Sequence, residues 1–182
     1  MAFMAYFTYK DNHLLAEKIL FKGKYHIDTT RLKDWDYSSC GYYYVTICTK
    51  DKVCLFGEVI KSSEGLGASV KLSQIGEIVE NFWRGIPEYY NNIELDECIM
   101  MPNHIHGIIA ITEERKNITL GHIINQFKGL CTKNIREFGN RNFTWQPRFH
   151  DHIIRGEKDL ERIRQYIYEN PLKWLLGEGE DW

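Results

Sequence analysis

Ten consecutive residues constrain this chain more than any others: Met100-Met101-Pro102-Asn103-His104-Ile105-His106-Gly107-Ile108-Ile109. Alternate side chains of an extended strand point to the same face, so His104 and His106 stand side by side, ~7 Å apart along the strand. Two imidazoles so placed can converge on one divalent ion or one phosphate. They also interrupt a run of isoleucines, and burying unpaired polar groups is costly. The strand must therefore sit where one face is apolar and the other performs chemistry.

The surrounding pattern supplies the elements for such a strand. Gly41 opens Tyr42-Tyr43-Tyr44-Val45-Thr46-Ile47-Cys48-Thr49, β-branched and aromatic throughout, which predicts a strand. After a loop, apolar residues at Ile75, Ile78, Val79, Phe82, Trp83 and Ile86 form a helical stripe that Ser73 can cap and Pro87 ends. Strands over 93–101 and 104–111 follow, joined by a tight turn at Pro102-Asn103. A helix over 119–138 carries Ile123, Ile124, Phe127, Leu130, Cys131, Ile135 and Phe138 on its stripe. The stretch from Trp145 to Arg155 reads as loop, then strand. A last helix starts near Glu157, carries Leu160, Ile163, Tyr166 and Ile167, and is expected to stop before Pro171. The order β-α-β-β-α-β, then α, predicts an α+β, ferredoxin-like antiparallel sheet with two helices on one face. Ile105, Ile109 and Ile111 would pack under those helices. His104 and His106 then face the other way, toward the additional C-terminal helix. The expected domains are an extension over 1–40, one folded domain over 41–176 and an acidic tail over 177–182.

Composition narrows the classes. A chain of 182 residues with 43% apolar and 26% charged content is that of a soluble globular protein. No stretch approaches the ~18 apolar residues needed to span a bilayer, and the N-terminus lacks the pattern of a secretory signal. The five cysteines, Cys40, Cys48, Cys54, Cys98 and Cys131, form no C-x-x-C pair, which points to reduced thiols in a cytoplasmic protein. The net charge of −2 hides a net +4 over residues 119–176, a region where phosphates could be contacted.

On the last helix Tyr166 and Asn170 are four apart and share a face, while Tyr168 points elsewhere. Laid over the sheet, that face brings a phenol and an amide to the two imidazoles. Two histidine nitrogens and an asparagine oxygen suit Mg²⁺ or Mn²⁺, with room for phosphate oxygen and water. Basic residues interleaved with aromatics at Arg31-Leu32-Lys33-Asp34-Trp35 suit contact with single-stranded nucleic acid. Lys128, Lys133, Arg136 and Arg141 form either a DNA face or simply the solvated side of a helix and its loop.

Four motifs in this order resemble the REP-associated tyrosine transposases, which are single-tyrosine HUH endonucleases: Met101-Pro102-Asn103-His104-Ile105-His106, Trp145-Gln146-Pro147-Arg148, Asp151-His152-Ile153-Ile154-Arg155 and Tyr166-Ile167-Tyr168-Glu169-Asn170-Pro171. The resemblance spans roughly 31–176. It implies that His104 and His106 ligate the metal, that Tyr166 is the nucleophile and that Asn170 is the third ligand. It further implies that Trp145, Gln146 and Arg148 lie near DNA. With Arg31, Lys33, Lys128 and Arg155, these residues make up the expected DNA-contacting set. Trp145 fits a core anchor as well as a base-stacking platform. His150-Asp151-His152 fits hydrogen-bonded scaffolding better than a second metal site, and His150 and His152 are candidates to accept the proton of Tyr166.

The implied function is metal-dependent cleavage and transfer of single-stranded, hairpin-forming REP-like DNA through a 5′-phosphotyrosine, by a monomer or a homodimer. The alternative is a catalytically silent hairpin-binding protein of the same fold. A histidine-triad nucleotide hydrolase is disfavoured, because Ile108 stands where a third alternating histidine would be needed. No phosphate-cradling G-x-x-x-x-G-K-[ST] loop is present, in keeping with a transesterification that conserves bond energy.

Overall fold

A computed structural model describes residues 32–61 and 67–178. They belong to a compact unit running from Arg31 onward. The expectations for residues 1–30, for Arg31 and for most of the acidic tail fall outside the described residues.

The chain runs β1 (Gly41–Cys48), β2 (Gly57–Lys61), β3 (Ala68–Leu72), α1 (Gln74–Arg84), α2 (Ile86–Tyr89), β4 (Ile93–Met100), β5 (His104–Ile111), α3 (Leu120–Glu137), β6 (His150–Ile154) and α4 (Glu157–Leu176). Four strands form one antiparallel sheet in the order β4-β5-β1-β6. The fold is thus α+β, as the alternation of elements predicts. β2 and β3 pair as a separate hairpin where the sequence reading has only a loop. Their alternation is short, with Glu58, Lys61, Ser69 and Lys71 interleaved among few apolar residues, so the strand signal is weak.

Each face of the sheet carries its own core. On one side Tyr43, Val45 and Ile47 of β1 and Ile105, Ile109 and Ile111 of β5 pack with Val79 and Trp83 of α1 and with Ile123, Ile124 and Phe127 of α3. On the other side Tyr44 and Ile108 pack with Ile154 and with Leu160, Ile163 and Ile167 of α4. This second face would be open in a sheet with helices on one side only, and α4 covers it. An ion pair fastens it further: the Arg164 guanidinium donates to both carboxylate oxygens of Asp96 on β4, at 2.8 and 2.6 Å. A register shift between Leu95 and Cys98 accommodates Asp96 and Glu97 in β4.

Two helix ends differ from expectation. Pro87 does not terminate a helix. The Ser73 hydroxyl caps α1 by accepting from the Gly76 N–H, α1 ends at Gly85, and Pro87 then sits in the first turn of α2, where a missing N–H costs nothing. Pro171 does not stop α4, which continues to Leu176 and closes on Gly177 in the left-handed conformation. Packing of the last turn overrides the local preference.

Gly107 lets α1 approach. A Cβ there would lie 2.3 Å from the Trp83 ring, which is 2% exposed and packs edge-on against Phe127 with centroids 5.5 Å apart. Gly107→Ala should therefore lower stability by about 1–3 kcal/mol, the usual range for overpacking a full core. Urea denaturation checks this, and an unchanged midpoint would show that the indole shifts without cost.

Candidate active site

The site begins with the register of three strands. Cys48 pairs with His104, Thr46 with His106 and Tyr44 with Ile108, while on the other side of β1 Thr46 pairs with His150 and Tyr44 with His152. Residues directly opposite share a face. His104, His106, Thr46, Tyr44, His150 and His152 therefore all lie on the α4 face. Asp151, between the two histidines of β6, points to the other face. This alternation prevents His150-Asp151-His152 from converging on one ion.

α4 supplies the other half. Tyr166 stands over His106 with ring centroids 5.4 Å apart and meets Tyr44 edge-on at 6.3 Å. The Asn170 Nδ2 donates to the Tyr166 hydroxyl at 2.9 Å. Because the helix passes through Pro171, the next turn also reaches the site. Trp174 lies 5.9 Å from the His104 ring, and the Lys173 ammonium sits 5.2 Å from the centre of the Tyr166 ring while pairing with Glu169. Lys173 and Trp174 escape the sequence reading because it ends the helix before Pro171.

The imidazoles are buried and set by their neighbours. His104 is 4% exposed and His106 fully buried. Their Nε2 atoms face each other at 3.0 Å. The Lys52 carbonyl can only accept, so Asn103 gives it its Nδ2 and turns Oδ1 to His104 Nδ1 at 2.6 Å. His104 therefore carries its proton on Nδ1 and leaves an Nε2 lone pair pointing at His106. On the far side His106 Nδ1 meets the hydroxyls of Tyr44 at 2.7 Å and Thr46 at 3.1 Å, which can donate to it or accept from it. His106 Nε2 can thus either bridge to His104 by its proton or offer a second lone pair.

Burial also keeps both rings neutral. It pushes His104 down to about 4, helped by the positive Lys52 and opposed by the Asn170 amide. His106 is held well below the ordinary histidine value by burial and by the neighbouring His104 and His150. Burial raises Tyr166 to about 12, the hydrogen bond from Asn170 pulling the other way.

This donor set fits a small divalent cation. Asn170 Oδ1 is buried near enough to His104 to favour its charged form, yet it makes no well-formed hydrogen bond with any described residue, which leaves its lone pairs available to a ligand. Two neutral imidazoles and an amide oxygen make an N,N,O set. Among the described residues no group of three His, Cys, Asp or Glu side chains could hold a metal ion, and this set differs from such a group in having an amide oxygen beside its two imidazoles.

The expected DNA-contacting residues separate. Trp145 is 8% exposed, ringed by Phe56, Phe127 and Phe143, and its indole N–H donates to the Lys128 carbonyl. A ring so placed has no face open to a base; of the two roles left open, its surroundings are those of the core anchor. Lys128 turns its ammonium onto the carbonyls of Gln146 and Arg148 at 2.8 and 3.0 Å, so it braces that loop. Gln146 and Arg148 are themselves exposed, and the Gln146 N–H binds the Cys48 carbonyl, which fixes the loop at the His104 end of the sheet. Arg155 and Lys33 are exposed but lie toward the opposite end, following Ile154 and preceding Gly41. Six residues of β1 separate the two ends, roughly 20 Å. Asn103, Tyr44, Thr46 and Lys52 also belong to the site, although the sequence pattern assigns them no role in it. Strand alternation could have put Tyr44 and Thr46 on one face, but only the register shows which histidine they meet.

His104 and His106 of the sheet thus face Tyr166 of the covering helix, with the Tyr166 and His106 ring centroids 5.4 Å apart. The chain matches the model of the IS200-like transposases over residues 37–170, and it belongs to that family. It is 34% identical to an uncharacterized protein of Haemophilus influenzae (strain Rd), over 84% of this chain and 92% of that one. It is likewise 34% identical over 94 residues to a REP-associated tyrosine transposase of Escherichia coli K12, covering 49% of this chain and 51% of that one. Among solved structures, a REP-associated tyrosine transposase bound to a REP hairpin shares the fold, with TM-score 0.57, 21% identity, and coverage of 81% of this chain and 74% of that one. Among the described residues no helix is long and apolar enough to cross a membrane.

One electrostatic feature of the site's frame is testable without substrate. Burial works to raise the Asp159 carboxyl, but hydrogen bonds from His152, Arg162 and the Arg155 N–H outweigh it and hold Asp159 at about 2. An unfolded aspartate titrates near ~3.9, so the native state favours the ionised form. This stabilisation is complete above about pH 4–5 and is lost as pH falls toward 2. The stability gap between the protein and Asp159→Asn should shrink over that interval in urea titrations. A gap independent of pH would show that Asp159 contributes no such term.

Proposed function

We propose that the chain is a metal-dependent single-strand DNA endonuclease and strand transferase acting on hairpin-forming, REP-like DNA, with Tyr166 as nucleophile. The observation that carries this reading is the meeting of two halves from distant parts of the chain. His104 and His106 come from β5, Tyr166 and Asn170 from α4, and the Tyr166 and His106 rings lie 5.4 Å apart. The relative described as a REP-associated tyrosine transposase, and the solved structure of one bound to a REP hairpin, support the choice of substrate.

His104, His106 and Asn170 would hold Mg²⁺ or Mn²⁺, which when bound polarises a phosphodiester and offsets charge on its oxygens. The chain's own residues do the rest. Asn103 keeps the His104 proton on Nδ1, and the Tyr44 and Thr46 hydroxyls hold the His106 ring. Asn170 fixes the Tyr166 hydroxyl through Nδ2. As Tyr166 Oη bonds to phosphorus, the bond to the 3′ oxygen breaks. That oxygen leaves as a 3′-hydroxyl, taking up a proton as the phenol loses one. The strand stays attached through a 5′-phosphotyrosine, and attack by another 3′-hydroxyl reverses the step. One phosphodiester replaces another, so no nucleotide triphosphate is consumed. Lys173 over the Tyr166 ring and Lys52 beside His104 supply positive charge where phosphate would lie. Gln146 and Arg148 are the DNA contacts best placed for the His104 end, and Lys33 and Arg155 would touch the strand farther away.

Incubation with Mn²⁺ and labelled single-stranded hairpins from the flanking genomic repeats should yield a covalent protein–DNA adduct on a denaturing gel, absent in Tyr166→Phe. No adduct on a hairpin the protein binds well would favour the silent DNA-binding alternative. An undiminished adduct in Tyr166→Phe would move the nucleophile elsewhere, Tyr168 being next to test. Asn103→Ala should weaken Mn²⁺ binding by about 10–100-fold, the usual cost of removing a residue that orients a metal-ligating histidine. Calorimetric titration measures it, and unchanged affinity would remove Asn103 from the site.

A further inference from the structure

A cleft of 330 Å³ opens beside Tyr166, lined by Tyr44, His150, His152, Arg162, Ile163 and Tyr166. Arg162 and Ile163 lie one helical turn before Tyr166, whereas Asn170 lies one turn after it. The cleft and the N,N,O set therefore flank the tyrosine on opposite sides. Arg162 has no part in the proposed strand transfer, and His150 and His152, the two candidates to accept the Tyr166 proton, line the cleft with that tyrosine.

The lining has the chemistry of a nucleotide. Tyr44 and Tyr166 present aromatic rings at 85° to one another, with Ile163 buried beneath them. A volume near the lower end for small-ligand sites suits one planar heterocycle rather than a folded peptide, and aromatic walls stack any base. The rim is polar and held in place. Asp159 accepts from His152 Nε2 at 2.8 Å and from Arg162 at 2.5 Å. The bond to Asp159 occupies the His152 Nε2–H and leaves Nδ1 at the rim to meet the edge of a base. Arg162 has a side chain 68% exposed and can turn to a phosphate oxygen from where Asp159 holds it.

We infer that this cleft is the subsite for the nucleotide adjacent to the scissile phosphate: the base lies against the Tyr166 ring in the angle that it makes with Tyr44, the edge of the base meets His152, and its phosphate meets Arg162. The inference rests on the strand-transfer reading for its place in the reaction. The cleft sets which base is accepted next to the cut, while the hairpin is held elsewhere. Tyr44 belongs to both halves, since its ring walls the cleft and its hydroxyl binds His106 Nδ1.

The test uses the full-length protein in EDTA, so that it depends on neither metal nor cleavage. With ¹³C-labelled histidine, the ring signals of His150 and His152 are followed while dAMP, dCMP, dGMP and dTMP are added in turn. Deoxyribose 5-phosphate and inorganic phosphate serve as separate arms. At least one nucleotide should shift both signals saturably, with a Kd on the order of 1 mM, and leave His122 on α3 unmoved. Arg162→Ala should weaken that binding about tenfold while leaving the circular dichroism spectrum unchanged. The subsite is refuted if no nucleotide moves the two signals, or if phosphate alone moves them as strongly. Either result leaves the adduct experiment untouched, so failure of the subsite and failure of the strand-transfer reading are told apart.

Discussion

α4 lies across the second face of the sheet, and every feature of the site depends on that contact. Leu160, Ile163 and Ile167 bury themselves on Tyr44, Ile108 and Ile154, and each such side chain contributes ~1.5–3 kcal/mol when taken out of water. The two-point ion pair between Arg164 and Asp96 fixes where along the sheet the helix settles. It is partly buried and made of two parallel hydrogen bonds, the geometry in which an ion pair gives direction as well as energy. With the helix seated, Tyr166 and Asn170 have no choice but to face the row that holds His106, Thr46 and His150.

The same contact decides the protonation of the imidazoles. A histidine pair on an open sheet face would be solvated and would titrate near the ordinary value. Under α4 the pair is dry, and a charged ring there loses its hydration without gaining a carboxylate. Both rings stay neutral, and two neutral rings facing each other through Nε2 need something between them: a shared proton or a cation. The hydroxyl pair of Tyr44 and Thr46 tolerates either, because a hydroxyl both donates and accepts. The frame is therefore fixed on the His104 side by Asn103 and adaptable on the His106 side.

Most of this was legible in the chain because it rests on short periods. The strand of His104 and His106, the division of Ile105, Ile109 and Ile111 from the histidines, and the shared face of Tyr166 and Asn170 all follow from periods of 2 and 3.6. What was not legible depends on partners brought from far away. Tyr44 is an ordinary strand aromatic until the register puts it opposite Ile108. Lys128 looks like a phosphate contact on a helix surface until the loop at Gln146 and Arg148 offers it two carbonyls. The β2–β3 hairpin failed for a different reason. Two five-residue strands of mixed polarity carry too few apolar positions for alternation to stand out from a loop.

Pro171 is the position where local and tertiary preference disagree most openly. A proline in a helix interior forfeits one hydrogen bond and costs about 3 kcal/mol in isolation. The helix nevertheless continues for five residues past it, to Leu176. Had it ended at Asn170, the amide would sit on a fraying terminus, and neither the Lys173 charge above Tyr166 nor the Trp174 ring beside His104 would exist. The added turn covers the site from solvent and ties its end down through Gly177, whose N–H reaches Trp174 while that of Glu178 reaches Lys173. The proline also narrows the conformations of the unfolded chain and biases the residue before it away from the helical region. Asn170 is thus held in helical geometry by what packs around it rather than by its own preference. An amide whose oxygen is buried without a well-formed hydrogen bond, on a backbone kept there against its local bias, is held at a local cost that the packing of α4 on the sheet offsets.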